Sequence, residues 1–469
     1  MRYDAVVVGA GPNGLAAAIT FAQAGRSVVV LESADEVGGG LRSGPLVGEG
    51  YVNDLGSAIH PLGRASPFLA SLDLQAHGLE WVTPPAAVGH PLDGGRAAIA
   101  WNDLDATVAG LGSDGAAYRA MAQPLITGFD KLLDLTMRPV LRVPPHPLFA
   151  ARFGLQAIQP ATFLARRRFR TEEGQALFAG HAAHSVLPLG RLFTASFGLL
   201  FTATPHVLGW PFPRGGAASL AAAMLAELRS LGGEVRTGVR VASLDDLPAA
   251  DRVVFALTTM QVLGITGGHF PARFRQTLAG FRYGPGVFKL DYALSGPIPW
   301  SAPDLARTAC VHVGGTLAEV AASEAAVGRG QHADRPFLIL AQPSAFDPSR
   351  APEGNHTGWV YCHVPNGSTV DMTAAIESQI ERFAPGFRDV VISRHVMDPA
   401  ALEGWNASLV GGDIAGGSLA GSQLLARPRW SLHPYATPDP RLFIGSASTP
   451  PGGGVHGMAG HQAALAAMA

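Results

Sequence analysis

The 469-residue chain carries 34 Lys and Arg against 36 Asp and Glu, a formal net charge of −2, so no global basic field is present to hold a nucleic acid. Charged residues are only 15% of the chain and hydrophobic residues 47%; with 58 glycines and 36 prolines, this is the composition of a compact, turn-rich fold rather than of disorder. At ~100–200 residues per domain the length calls for two or three lobes, and two cysteines, Cys310 and Cys362, supply no disulfide framework, zinc site or CxxC centre.

Residues 3–8 form a short, nearly all-apolar run, as expected of a strand buried on both faces. Gly9-Ala-Gly11-Pro12-Asn13-Gly14 follows, and Leu15, Ala18, Ile19 and Ala22 then recur at helical spacing until Gly25. Ser27–Leu31 reads as a second strand ending at Glu32, which completes a βαβ unit. Each glycine has a mechanical role. Gly9 permits the strand-to-helix turn, Gly11 lets the backbone approach a pyrophosphate, and Gly14 allows close helix–strand packing. The helix N-terminus offers free N–H groups to the phosphates, and Glu32 is placed to accept ribose hydroxyls. The strand, helix and acid together make this a strong dinucleotide signal.

Residues 65–210 look mostly helical, interrupted by Pro and Gly. Leu192 to Pro213 is uncharged but contains Pro205, His206, Pro211 and Pro213, which suits a membrane-spanning helix badly. A helix is predicted over 216–231, followed by strands at Glu234–Arg236, Val239–Leu244 and Asp251–Leu257. From 281 to 397 longer β-like runs appear, at 285–294, 308–313, 336–342, 357–364 and 388–396, as in an antiparallel or mixed sheet. A strand at 442–445, a Gly-rich loop and an Ala-rich helix close the chain. The expected architecture is α/β: a Rossmann-type dinucleotide domain (1–75, 211–265 and 400–469) interleaved with an α+β substrate domain (76–210 and 266–399). The N-terminal apolar run is short and carries the glycine motif, so it reads as a strand and not as a cleaved signal. A cytoplasmic protein is expected. The basic run Arg166–Arg170 reads first as a solvated helix face, with peripheral membrane contact as its alternative.

After Glu32 comes a second glycine cluster, Gly38-Gly39-Gly40-Leu-Arg42, able to close another loop over the pyrophosphate. That extension favours FAD over NAD, and no second GxGxxG follows in a strand-turn-helix setting. Gly9–Gly14, Glu32 and Gly38–Arg42 resemble the FAD fingerprint of the phytoene desaturase and amine oxidase superfamily, and the run from Leu442 through Gly445 to Gly457 resembles its second FAD signature. The segments from Tyr283, Tyr361 and Val410 are similar to the phytoene dehydrogenase-related subgroup, over essentially the whole chain. The resemblance implies a GR2-like fold and non-covalent FAD; no cysteine follows Cys362 to attach it. It also implies that Gly445 and Ser446 meet the ribityl and phosphate region, that Gly454, Val455 and His456 face the flavin, and that Val241 meets the adenine. Ser446 stands near the place of the family's usual acidic residue.

The expected reaction is dehydrogenation of an apolar small molecule, with hydride passing to flavin N5 and dioxygen or a quinone reoxidising it. A redox-neutral isomerase or saturase on an isoprenoid-like chain, an amine oxidase, and a low-turnover flavoprotein partner stay open. Lys289 resembles the lysine that amine oxidases place beside N5; its alternative is a side chain snorkelling from a sheet edge. His456 is a proton-transfer candidate with a helix-capping histidine as its equal alternative. His60 and His363 are weaker cavity candidates. Val455-His456 stands where amine oxidases carry an aromatic. No metal site is expected.

Overall fold

The computed structural model describes residues 2–469. In chain order the longer strands are β1 (Tyr3–Val8), β2 (Val28–Leu31), β3 (Ala86–Leu92), β4 (Arg96–Trp101), β5 (Glu234–Arg236), β6 (Ala250–Phe255), β7 (Gly286–Leu294), β8 (Thr308–Val313), β9 (Leu338–Ala341), β10 (His356–Val364), β11 (Val391–Met397) and β12 (Leu442–Ile444). They form two sheets. The first is wholly parallel, in the order β12-β6-β1-β2-β5. The second runs β11-β7-β10-β9-β8-β3-β4 and is antiparallel except for the β8–β3 pair.

The parallel sheet forms because β1, β2 and β6 are rich in valine, which packs well on a pleated surface and tolerates burial on both faces. Helix Pro12–Gln23 lies against it on small side chains, Ala16 to Ala18, and on Ile19 and Phe21. Contact there is at backbone level: a Cβ on Gly14 would stand 1.8 Å from the Gly9 carbonyl oxygen. Gly9 itself has φ +98°, a conformation that disfavours other residues. The C-terminal helix Met458–Met468 packs on the same first helix, and a Cβ on Gly460 would stand 1.7 Å from the Asn13 carbonyl oxygen.

The second sheet divides its side chains cleanly by face. Phe288, Leu290, Val311, Leu340 and Val360 form one core with Ile376, Ile380 and Phe383 of helix Thr373–Phe383. The opposite face carries Val287, Lys289, Asp291, Cys310, Ile339, Trp359 and Tyr361, and looks toward helices Glu172–Ala183 and Thr194–Leu208. A buried ion pair from Arg350 to Asp54 ties the two parts together; Asp54 also accepts from Ser43 Oγ at 2.8 Å and from the Ala217 N–H at 2.7 Å.

Two sequence expectations need correction. The region 65–210 is not only helical: β3 and β4 are a hairpin added to the second sheet, joined by Asp93-Gly94-Gly95 with both glycines at positive φ. Residues 239–244 are not a strand, because the Asp246 carboxylate takes the N–H groups of Ala242 and Ser243 that a ladder would need. The uncharged 192–213 stretch is a buried helix, Thr194–Leu208, with Pro205 inside it and Phe212-Pro213 paired to Trp81-Val82. Among the described residues no helix is long and apolar enough to cross a membrane.

The backbone contacts make opposite predictions for two glycines. Gly460→Ala should destabilise by at least about 1–3 kcal/mol, since the Asn13 backbone blocks the methyl group. Gly154→Ala, in helix Pro147–Ala157 with nothing within 4 Å, should stabilise by about 0.5–1 kcal/mol. Denaturant unfolding of both variants checks the pair.

Candidate active site

One cavity of about 800 Å³ runs between the two sheets. Its wall at one end is built by Gly9, Gly11, Pro12, Asn13, Gly14, Glu32, Gly39, Gly40 and Arg42, the two glycine loops and the acid read from the sequence. Pro12 opens the helix at a position where its missing N–H costs nothing. The Glu32 carboxylate accepts from the Ala10 N–H at 2.6 Å and the Ala34 N–H at 2.9 Å, which fixes it at the cavity edge. Arg42 donates to the Trp405 carbonyl at 2.8 Å and lies over that indole at 4.7 Å. Val241 lines the same end.

The C-terminal loop supplies Ser446, Gly454 and Val455 to the wall. Gly445 does not line the cavity. It is a packing position whose Cβ would meet Ala463 Cβ at 2.7 Å. His456 is also off the wall: its Nδ1 accepts the Met458 N–H at 3.1 Å at the start of the C-terminal helix, and its carbonyl accepts from Ser66 Oγ at 2.6 Å. Burial pushes the His456 imidazole down to about 4, so the ring is neutral and serves as a cap.

Lys289 is buried and lines the cavity from β7. It forms an ion pair with Asp291, two residues along the same face, and its Nζ lies 5.8 Å from the centroid of the Trp359 ring. Asp291 is fully buried, and desolvation raises its carboxyl above the usual range despite the lysine. Trp359 and Tyr361, alternate residues of β10, stand edge to face at 5.2 Å and complete this wall. His60 also lines the cavity, and burial holds it at about 4. His363 instead binds Glu324 through Nδ1 at 2.9 Å. Sequence reading missed Trp405, Cys310, Ile339, His184, Trp210 and Phe201, all on the cavity wall. For Cys310 and Ile339 the signal was present: strand alternation puts them on the face of Lys289.

Comparison with known proteins agrees with this geometry. Residues 7–72 match the NAD(P)-binding Rossmann-like domain family. The chain is 26% identical to pyridine nucleotide-disulfide oxidoreductase domain-containing protein 2 of Mus musculus, covering 99% of this chain and 93% of that protein. It is 29% identical to phytoene dehydrogenase of Streptomyces griseus, over 77% and 73% of the two chains. A structure of putrescine oxidase bound to putrescine shares the fold, with a TM-score of 0.64, 16% identity and coverage of 99% and 98%.

The Lys289–Asp291 pair generates a signed prediction. Lys289→Met leaves the carboxylate buried without its partner and should cost about 3–5 kcal/mol at neutral pH. A carboxyl whose folded pKa is raised takes up its proton most readily when folded, so the penalty should shrink as pH falls and grow as pH rises. Unfolding of wild type and variant at pH 5 and pH 8 measures this. The chain thus carries an NAD(P)-binding Rossmann-like domain, has homologues named pyridine nucleotide-disulfide oxidoreductase domain-containing protein 2 and phytoene dehydrogenase, and shares its fold with amine oxidases.

Proposed function

We propose that the chain is an FAD-dependent oxidoreductase that dehydrogenates an apolar organic substrate. The observation that carries this reading is the continuity of one cavity from the dinucleotide fingerprint to the Lys289, Trp359 and Tyr361 wall. Two glycines support a ligand at the fingerprint end. A Cβ on Gly11 would meet only Gly39 Cα, at 3.8 Å, and one on Gly40 would meet nothing within 4 Å. Neither residue has a positive φ between +20° and +160°. No protein neighbour therefore requires glycine at either place, whereas a pyrophosphate against the backbone would. The second loop, Gly38–Arg42, and the C-terminal loop extend the cradle beyond what an adenine half alone needs.

Bound FAD would supply a two-electron acceptor. The residues around it have separable tasks. Gly9–Gly14 and Glu32 would hold the adenosine and pyrophosphate, and Arg42 would neutralise phosphate charge. Trp359, Tyr361, Val287 and Ile339 keep water from the reacting carbon. Lys289 is the one ammonium on the wall, and Asp291 holds it in place. Dioxygen or a quinone would accept the electrons. An apolar substrate fits a wall with far more carbon than charge; the amine oxidase reading has no carboxylate on the wall beyond Glu32 and Glu36 at the fingerprint end.

An exposed surface adds a proposal about location. Val143, Leu148 and Leu155 are 90%, 87% and 72% exposed, with Phe163 and Leu192 also exposed; Arg152 shares helix Pro147–Ala157 with Leu148 and Leu155, and Arg166–Arg168 share helix Ala161–Arg168 with Phe163. Apolar tips among arginines fit peripheral contact with an anionic bilayer, from which an apolar substrate would come.

Purified protein should carry flavin absorbance, and Gly11→Val should remove it while leaving the apo fold intact by circular dichroism. A dehydrogenase substrate should bleach the flavin anaerobically; turnover without bleaching would mean the isomerase reading. Replacing Val143, Leu148 and Leu155 by Ser should weaken co-sedimentation with phosphatidylserine vesicles at least fivefold without changing the thermal midpoint.

A further inference from the structure

Four cross-strand partners lie in one row on the cavity face of the second sheet. Lys289 of β7 pairs with Tyr361 of β10, Tyr361 with Ile339 of β9, and Ile339 with His312 of β8. At about 4.8 Å per strand the row is roughly 14 Å long, with His312 at the end of the row away from Lys289, behind the cavity wall. Above it stands His184, at the C-terminal end of helix Glu172–Ala183, with its Nε2 2.9 Å from His312 Nε2. His184 is half-buried and lines the cavity, together with Cys310, Ile339, Phe201 and Trp210.

Charge is excluded from this end. Burial holds His184 down to about 3, and burial with mutual repulsion holds His181 and His312 well below the ordinary imidazole range. No carboxylate lines the cavity here, and among the described residues no histidine group is arranged to hold a metal ion. Two neutral imidazoles joined Nε2 to Nε2 share one proton, so their tautomers are complementary. His312 Nδ1 is buried with no partner. A bare acceptor nitrogen is tolerated there better than an orphaned N–H, which puts the shared proton on His312 Nε2. His184 then accepts at Nε2 and carries its own proton on Nδ1, the nitrogen left free for a ligand.

We infer that the far end of the cavity is a recognition subsite for the neutral, oxygen-bearing end of an elongated apolar substrate, a carbonyl or hydroxyl group accepting a hydrogen bond from His184. This deepens, and rests on, the reading of the cavity as a substrate chamber. His184 is a specificity residue in it, remote from the reacting end, and its surroundings reject a cationic or anionic head group through desolvation without compensation.

Binding to the full-length protein at pH 7, followed by quenching of tryptophan fluorescence, tests this, because the Trp210 ring lies 5.5 Å from that of His184. The probes are 1-decanol, decanal, 1-decene and decylammonium. Decanol and decanal should bind at least tenfold more tightly than decylammonium and at least fivefold more tightly than 1-decene. His184→Leu should remove the advantage over 1-decene, and His184→Gln, which keeps an N–H donor, should retain most of it. Equal binding of decylammonium, an unchanged preference in His184→Leu, or no binding of any probe to wild type overturns the subsite. If the His184 variants fail to fold, Ile339→Trp replaces them, and decanol binding undiminished in that variant also overturns it. Flavin content is read on each sample: discrimination between probes in a protein that never holds flavin sinks the proposed function and leaves the subsite standing.

Discussion

Backbone-to-backbone packing around helix Pro12–Gln23 is the constraint on which the molecule depends. At Gly14 the helix meets the strand-exit carbonyl of Gly9, and at Asn13 it meets Gly460 of the C-terminal helix, with no space for a methyl group at either contact. A side chain at either point would overlap a backbone carbonyl oxygen and force the elements apart. Because they are glycine, the first and last segments of the chain converge on one helix N-terminus. The fingerprint loop and the 446–455 loop can therefore wall the same cavity. The dipole and the free N–H groups of that helix point where a pyrophosphate would lie.

The second sheet performs a different task with a simple device. Strand alternation gives it one face of Phe, Leu and Val, which helix Thr373–Phe383 covers, and a second face that mixes aromatics with Lys289, Asp291 and His312. The polar groups on that second face are paired among themselves: Lys289 with Asp291 and His312 with His184. Pairing keeps net charge out of the chamber while leaving hydrogen-bonding capacity at its two ends. The low charge content of the whole chain reflects this interior, since much of the sequence encloses a cofactor-length apolar space rather than facing water.

Much of this was legible in the sequence, for physical reasons that differ between regions. The βαβ unit reads easily because glycine spacing, valine runs and Glu32 all report the same geometry. The strands from 286 to 397 read well because alternation or continuous burial marks them. The β3–β4 hairpin was hidden because Gly89, Pro91 and the small side chains Ala97, Ala98 and Ala100 carry little strand propensity; only Gly94-Gly95 marked the turn. His456 had a helix-capping alternative, and the cap is the geometry found. Lys289 could be placed on a face from sequence, but its partner two residues away could not be distinguished from a solvated neighbour. His184 was invisible: its role comes from β8 and helix Glu172–Ala183 meeting across 128 residues of chain.

On this reading a single chamber holds a dinucleotide at the glycine loops and a substrate between Lys289 and His184. A crystal structure of the flavin-loaded protein tests it most directly. Cofactor density should run from Gly11 and Glu32 to the wall formed by Lys289, Trp359 and Tyr361, with the remaining space extending to His184. Density for a dinucleotide outside this cavity, or a cofactor that stops short of the second sheet, would contradict it.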